Sequence, residues 1–242
     1  MDFINKYLFI LIFIIIIIII IIISIYFFLN YIKKNNKYKI YQNKAILSIN
    51  ECNKIIDLSK KFKLDTDPDP TDNNPEYQID ILTSKNQIHN MKLWKKIKPI
   101  YEKKLIPILN TIPFSSLIKY ELNFVFLKRY KPNERTHMSL HTDENYFTIG
   151  ILLSSTSDFS GGDLYIFDYK KSKQYNNIDC LDSNKKDKFI KNYNNLPIIN
   201  YEQGDVIVYC GNKHLHGLLP VTKGERYVLI FFFDKIKKIN KN

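Results

Sequence analysis

Cysteine is scarce in this 242-residue chain, and the three that occur, Cys52, Cys180 and Cys210, are odd in number and widely spaced. That spacing excludes both a disulfide framework and a CxxC metal clip, and it points to a reducing compartment. Asparagine is abundant, yet no Asn-x-Ser/Thr acceptor occurs, which argues against a lumenal domain. Zinc-finger spacing, an aromatic-basic RNA signature and a basic helix are also missing, so the formal charge of +12 is not read as a nucleic-acid footprint. Ile, Lys, Asn and Tyr are inflated together, as an AT-rich genome would produce, and no nucleic-acid partner is expected. What the chain does have is apolar surface: 45% hydrophobic residues, with 17 Tyr and 16 Phe. That excludes global disorder, and the length suits one domain with additions.

Charge is absent from Tyr7 to Ile32, and Leu8 to Leu29 is apolar apart from Ser24. At about 1.5 Å per residue this run is long enough to cross a hydrocarbon core of roughly 30 Å, so residues 1–32 are predicted to form a single-pass transmembrane helix. A cleaved signal peptide is the rival, but its apolar region should run only about 7 to 15 residues and end in small side chains. Here the run ends in "SIYFFLNY". Lys33, Lys34, Lys37 and Lys39 follow the span and only Lys6 precedes it, which places the large C-terminal part in the cytosol by the positive-inside rule, with a lumenal placement as the alternative.

Residues 33–44 read as a polar linker and 45–113 as a helical support region. Ser48 and Glu51 have capping-box spacing, and Cys52, Ile55, Ile56, Ser59 and Phe62 recur at helical intervals. The acids of "DTDPDPTDNNP", Asp65 to Pro75, lack the EF-hand order of ligands and glycine, so a solvated loop is expected rather than a calcium site. The segment "NMKLWKKIKPIYEKKLIPIL" predicts one or two helices interrupted at Pro99, with Leu93, Trp94 and Ile97 on the inner face. Residues 114–236 change texture to short β-rich runs, "YELNFVFLKRY", "FTIGILLS", "GDLYIFDY", "PIINYEQ", "DVIVYC" and "RYVLIFFF", which suggest a barrel or sandwich. Gly161 and Gly162 read as the tight turn before one of these strands. The Lys/Asn/Asp-rich insertion Tyr169 to Asn195 reads as an extended or partly disordered loop, and 237–242 as a solvated basic tail. The expected class is α+β.

The stretch "SLHTDENYFTIGIL" sets His141 and Asp143 two residues apart just before an apolar run. Alone, this pair is as compatible with surface polars as with metal ligands. Farther on, His216 follows a buried strand, and Arg226, ten residues later, opens the next strand with Val228, Ile230 and Phe232 on its face. An arginine on an apolar face requires an anionic partner, from the protein or from a ligand. One His-x-Asp, a distant His and an inward Arg together match a 2-His-1-carboxylate triad for iron(II), which leaves coordination positions open for a chelating acid and dioxygen. His214 competes with His216, but the H-x-x-x-P-V pattern and the interval to Arg226 favour His216; His89 and His137 lack such support.

At these residues the sequence resembles the iron(II)- and 2-oxoglutarate-dependent dioxygenases built on the double-stranded β-helix, or jelly-roll. "RYKPNERTHMSLHTDENYFTIGILL", "DFSGGDLYIFD" and "HLHGLLPVTKGERY" are most similar to the catalytic domain of procollagen lysyl hydroxylases, with the prolyl 4-hydroxylase group next. The resemblance implies that His141, Asp143 and His216 bind Fe(II), that Arg226 binds the C5 carboxylate of 2-oxoglutarate, and that Tyr130, eleven residues before His141, makes a supporting contact. Gly150 departs from it, standing where those enzymes carry an Asn that helps hold the cosubstrate. The implied reaction hydroxylates a C–H bond of a peptidyl lysine or proline, or of a small molecule. Succinate and CO2 are the coproducts and L-ascorbate the reductant. The alternatives are a catalytically inactive metal- or ligand-binding module and a tethered structural protein.

Overall fold

The computed structural model describes residues 12–28, 38–83, 87–112 and 120–236, and the chain divides into two units, Met1–Lys37 and Tyr38–Asn242. In the first unit residues 12–28 form a helix, α1, whose side chains are all exposed. Among the described residues no helix is long and apolar enough to cross a membrane. The span expected from Leu8 to Leu29 runs past the described residues at both ends and so lies partly outside them. Lys33, Lys34, Lys37 and the tail 237–242 lie outside the described residues.

The second unit opens with β1, Tyr41–Asn43, inside the stretch read as a linker. Helix α2, Ile49–Ser59, starts as the capping-box spacing requires: the Ser48 hydroxyl accepts from the Glu51 N–H, and the Glu51 carboxylate accepts from the Ser48 N–H. Helix α3, Met91–Ile100, buries Leu93, Trp94 and Ile97 as expected. Pro99 lies within it rather than ending it, and the helix widens into a π-helical turn at Tyr101–Leu105 before α4, Ile106–Thr111. A proline offers no N–H and crowds the carbonyl four residues back, and an adjacent π turn accommodates that strain without breaking the rod.

Two strands missed by the sequence pattern, β2 (Gln78–Thr83) and β3 (Gln87–Ile88), lie in the stretch read as helical. The long strands fall where expected: β4 (Tyr120–Tyr130), β6 (Phe147–Leu152), β9 (Val206–Tyr209) and β12 (Arg226–Lys235). Between them come β5 (Met138–His141), β7 (Phe159–Gly161), β8 (Leu164–Ile166), β10 (His216–Leu218) and β11 (Val221–Gly224). Gly161 and Gly162 both take positive φ, 71° and 69°, at the turn into β8. The run "PIINYEQ" is not a strand; it holds only an isolated bridge from Ile198 to Tyr165. A seven-stranded sheet has the order β1-β9-β6-β12-β4-β2-β3, a three-stranded sheet the order β5-β10-β8, and β11 pairs with β7.

Strand β12 lies between β4 and β6 and has two working faces. Tyr227, Leu229, Phe231 and Phe233 join Val125, Leu127, Ile149 and Ile151 in the main core, packed with Cys52, Ile55, Leu93, Trp94 and Ile97 of the helices. Arg226, Val228, Ile230 and Phe232 face the other way, into a cavity of about 770 Å³ that residues of both larger sheets line.

Two loop expectations are corrected. The insertion after Phe167 is ordered: α5 (Tyr169–Gln174), a 3₁₀ turn (Asn176–Ile178) and α6 (Ser183–Lys191). Asp168 and Asp182 cap the two helices, and Phe167, Tyr175, Phe189, Ile190 and Tyr193 form a second apolar cluster with Leu140 and Leu215. Spread among lysines and asparagines, these aromatics give no strong period in the sequence.

The acidic loop is solvated only in part: residues 65–68 are exposed, as expected, but two of its acids turn inward. Asp69 is buried and pairs with Lys128 of β4, whose ammonium faces the cavity wall. Arg135, 2% exposed, reaches both Asp72 at 2.9 Å and Asp69 at 3.3 Å. The loop's acids neutralise two buried cations that the sequence scatters far away.

Burial pushes the Asp69 carboxyl up, but the Lys128 and Arg135 charges outweigh it and bring the pKa down to about 2 from an ordinary 3.8. A carboxyl with a lowered folded-state pKa stabilises the fold while ionised, so this contribution, on the order of 2 kcal/mol, is present above about pH 4 and lost as pH falls through 2. Asp69→Ala leaves Lys128 buried without its main partner and should lower the unfolding free energy at pH 7 by about 3 to 5 kcal/mol. Urea unfolding of both proteins between pH 7 and pH 2.5 checks this, and the gap between them should narrow at the acid end.

Candidate metal centre

His141 ends β5 and His216 opens β10, and the two are direct cross-strand partners. Opposed residues of an antiparallel pair present their side chains on one face of the sheet, and here the imidazole centroids stand 4.2 Å apart. Asp143 follows in the loop after β5, where its N–H donates to the Gly211 carbonyl at 3.1 Å. That bond turns the carboxylate back toward the imidazoles: its Oδ1 lies 3.4 Å from His141 Nε2 and 3.5 Å from His216 Nε2.

This arrangement fits a single ion. Ligand bonds of about 2.0 to 2.2 Å put neighbouring donor atoms roughly 3 to 3.5 Å apart, and the three donors here all lie within 4.8 Å of one another. The Nδ1 atoms are committed outward. His141 Nδ1 meets the Ser139 carbonyl at 2.8 Å and His216 Nδ1 the His214 carbonyl at 2.9 Å. Each Nδ1–H donates to its carbonyl, so each Nε2 keeps its lone pair for the ion. Thr148 Oγ1 donates to Asp143 Oδ2, which orients the carboxylate and leaves Oδ1 free. Gly211 is required by closeness: a Cβ there would stand 2.7 Å from Thr148 Oγ1 and 2.9 Å from Asp143 Cβ.

Burial would raise the Asp143 carboxyl, but the His216 and His141 imidazoles outweigh it and hold it well below the usual carboxylate range. Burial would lower His216, and the facing Asp143 charge raises it instead. The carboxylate is therefore held ionised, the state a cation requires, while the proton that Asp143 favours on His216 must leave for Nε2 to take the ion.

Arg226 enters the same cavity from β12, directly across from Tyr130 of β4. It is 3% exposed, with its guanidinium carbon 5.8 Å from the Tyr130 ring centroid and 6.0 Å from that of Phe159. Its Nε is buried without a partner, and no ion pair among the described residues includes it. Burial lowers its pKa, opposed by Tyr130, Tyr201 and Asp163. A guanidinium desolvated in this way calls for an anion, and the cavity is where one would enter.

The other histidines stand apart from this group. His214 is fully buried, with Nδ1 on the Phe167 carbonyl at 2.8 Å, and it is not among the residues lining the cavity. His89 is exposed beside Thr83, and His137 pairs with Asp187 of α6 at 3.2 Å. Sequence reasoning missed Thr148, Gly211 and Tyr201, whose only signal was the parity of Thr148 with Gly150 on β6. It also missed Asp179, in the insertion, which accepts from the Thr142 N–H and hydroxyl and ties the insertion to the segment between two ligands.

No family model matches the chain. Its sequence is 27% identical over 151 residues to procollagen-lysine,2-oxoglutarate 5-dioxygenase 1 of Gallus gallus, a match that covers 62% of this chain and 17% of that protein. In structure it is similar to an oxidoreductase of the 2OG-Fe(II) oxygenase family from Burkholderia pseudomallei, with a TM-score of 0.57 at 16% identity over 81% of this chain and 84% of the other. This is the 2OG-Fe(II) oxygenase fold. It is similar as well to HygX of Streptomyces hygroscopicus solved with nickel, 2-oxoglutarate and hygromycin B, with a TM-score of 0.53 at 12% identity over 84% and 85% of the two chains. The oxygenase resemblance carried by the sequence motifs is matched by both kinds of relative.

In the oxygenase fold the triad should behave as one unit. His216→Ala should abolish tight binding of Fe(II) or Mn(II), whereas Thr148→Val, which keeps all three ligands but frees the carboxylate, should weaken it by about 10- to 100-fold. Anaerobic titration against a metal indicator measures both.

Proposed function

We propose that the second unit is an iron(II)- and 2-oxoglutarate-dependent hydroxylase. The observation that carries this reading is the pairing, in one cavity, of a candidate three-ligand ion site with a buried arginine that forms no ion pair among the described residues. His141, Asp143 and His216 would hold the iron, which when bound supplies the redox chemistry that turns 2-oxoglutarate and O2 into succinate and CO2 and oxygenates a C–H bond.

The chain's own residues do the positioning. Arg226 receives the distal carboxylate of 2-oxoglutarate and fixes which end of the molecule points toward the ion. Tyr130 packs beside that guanidinium and keeps water from it. Phe124, Phe126 and Phe232 form an aromatic wall in the same cavity, with centroids 5.0 Å apart for the first two and 5.3 Å for Phe126 and Phe232. This wall offers an apolar surface to the substrate and excludes water from the reacting carbon.

A peptidyl lysine or proline is the substrate class this reading favours, supported by a sequence relative that acts on procollagen lysine. L-ascorbate serves as reductant for iron oxidised in unproductive turnovers. A small-molecule substrate is the second reading, because HygX shares the fold and was solved with hygromycin B. We further propose that residues 1–32 anchor the protein in a membrane with the catalytic unit in the cytosol. The charge-free apolar run and the lysines after it support this.

With Fe(II) and ascorbate, the protein should convert 2-oxoglutarate to succinate even without substrate, and Arg226→Leu should raise the KM for 2-oxoglutarate by about thirtyfold or more. A wild-type protein that binds the ion yet forms no succinate, alone or with candidate peptides, is instead the non-catalytic module. Peptide products heavier by one oxygen atom identify the substrate. For the anchor, the full chain should stay in the membrane pellet after alkaline carbonate washing, and the Ile16→Lys, Ile20→Lys double variant should be released.

A further inference from the structure

We infer that the Tyr201 hydroxyl is a second donor to the anion held by Arg226, standing in space that Gly150 leaves open for it. The inference rests on the reading of this cavity as a site for a 2-oxo dicarboxylate, and it adds a binding residue to that site.

Tyr201 lies in the segment before β9 and is 8% exposed. Its ring is held by Leu152, Ile166, Ile207 and Tyr209, a cluster apart from the helical core. Packing therefore accounts for the ring but not for the oxygen. The hydroxyl is buried with no acceptor for its proton, the Leu152 N–H being the backbone group that approaches the oxygen, although it belongs to the lining of the cavity that holds Arg226 and the triad. Leaving such a group unsatisfied costs free energy that a phenylalanine would not incur, so the oxygen calls for a ligand.

The chemistry of that ligand follows from what surrounds the hydroxyl. Burial raises the Tyr201 pKa far above the usual phenol range, and the nearby Arg226 charge only partly opposes it. The group is a neutral O–H donor at every working pH. The other buried orphan at this end, Arg226 Nε, is also a donor. Two donors without acceptors specify an acceptor-rich anion such as a carboxylate, which can take a guanidinium N–H on one lone pair and a phenol O–H on another.

Gly150 explains why a tyrosine fits. It sits in mid-strand on β6, where glycine weakens a sheet and commonly marks a close approach. A Cβ there would stand 3.3 Å from the Tyr201 oxygen and 3.4 Å from Ile207 Cγ2. The glycine is thus the second half of the Tyr201 site, and a Cβ at 150 presses the hydroxyl out of its position by a few tenths of an ångström.

The test uses the full chain loaded with Mn(II), titrated by calorimetry with 2-oxoglutarate and with 2-oxopentanoate, which lacks the distal carboxylate. Tyr201→Phe should weaken 2-oxoglutarate at least about tenfold and leave 2-oxopentanoate within about twofold. Without ligand, its thermal midpoint should equal or exceed that of wild type, while the rise on adding 2-oxoglutarate should shrink; a purely structural hydroxyl would lower the ligand-free midpoint instead. Gly150→Ala removes no polar atom and should weaken 2-oxoglutarate in the same selective way. Wild-type binding of 2-oxoglutarate that neither variant weakens overturns the Tyr201 assignment and leaves the oxygenase reading standing. A wild-type protein that binds no 2-oxoglutarate overturns both.

Discussion

A one-residue slip of β12 would exchange its two faces, sending Arg226 into the helical core and Tyr227 into the cavity. The strand is held against that slip on both sides, by β4 and by β6. Its alternate residues belong to two different apolar systems. Leu229, Phe231 and Phe233 complete the core under α3, while Val228, Ile230 and Phe232 line the cavity, and neither set can be moved without exposing or overpacking the other. The arginine is therefore positioned by hydrophobic register rather than by any bond of its own, which is how a desolvated cation can stand without a protein carboxylate.

The ion site is built by a different logic. A cross-strand pair in the small sheet supplies two imidazoles at fixed separation, and backbone carbonyls two residues back set their tautomers. The carboxylate comes from a loop, where nothing in strand geometry would aim it, so it needs its own supports: the Gly211 carbonyl, the Thr148 hydroxyl, and a glycine small enough to let all three approach. The insertion adds a further tie through Asp179 and Thr142, linking a surface segment to the rigidity of the ligands.

Much of this was legible along the chain. The β-branched and aromatic runs "RYVLIFFF" and "FTIGILLS" announced buried strands, and Ser48 with Glu51 announced a helix start, because these patterns act over a few neighbouring residues. The triad was legible because metal ligands are drawn from few residue types at restrained spacing. The strands β2, β5 and β10 were not, since "QIDILT", "MSLH" and "HGL" are short and mix polar with apolar residues, unlike the apolar "VIVY" of β9. Two acids of the acidic loop and the insertion were misread for a common reason: Asp69, Asp72 and the aromatics around Phe189 look solvated or disordered until their partners, Lys128, Arg135, Leu140 and Leu215, are brought to them.

From the sequence alone came the β-rich second half, the choice of His141, Asp143, His216 and Arg226 as candidate site residues, and the inward direction of the arginine, because each depends on strand geometry or on the intrinsic chemistry of a side chain. Only the tertiary structure decided that the two histidines are cross-strand neighbours, that Thr148 and Gly211 hold the carboxylate, and that a tyrosine oxygen waits beside Gly150. Those facts depend on which distant segments meet, and that is set by the packing of whole sheets, which no stretch of sequence encodes by itself.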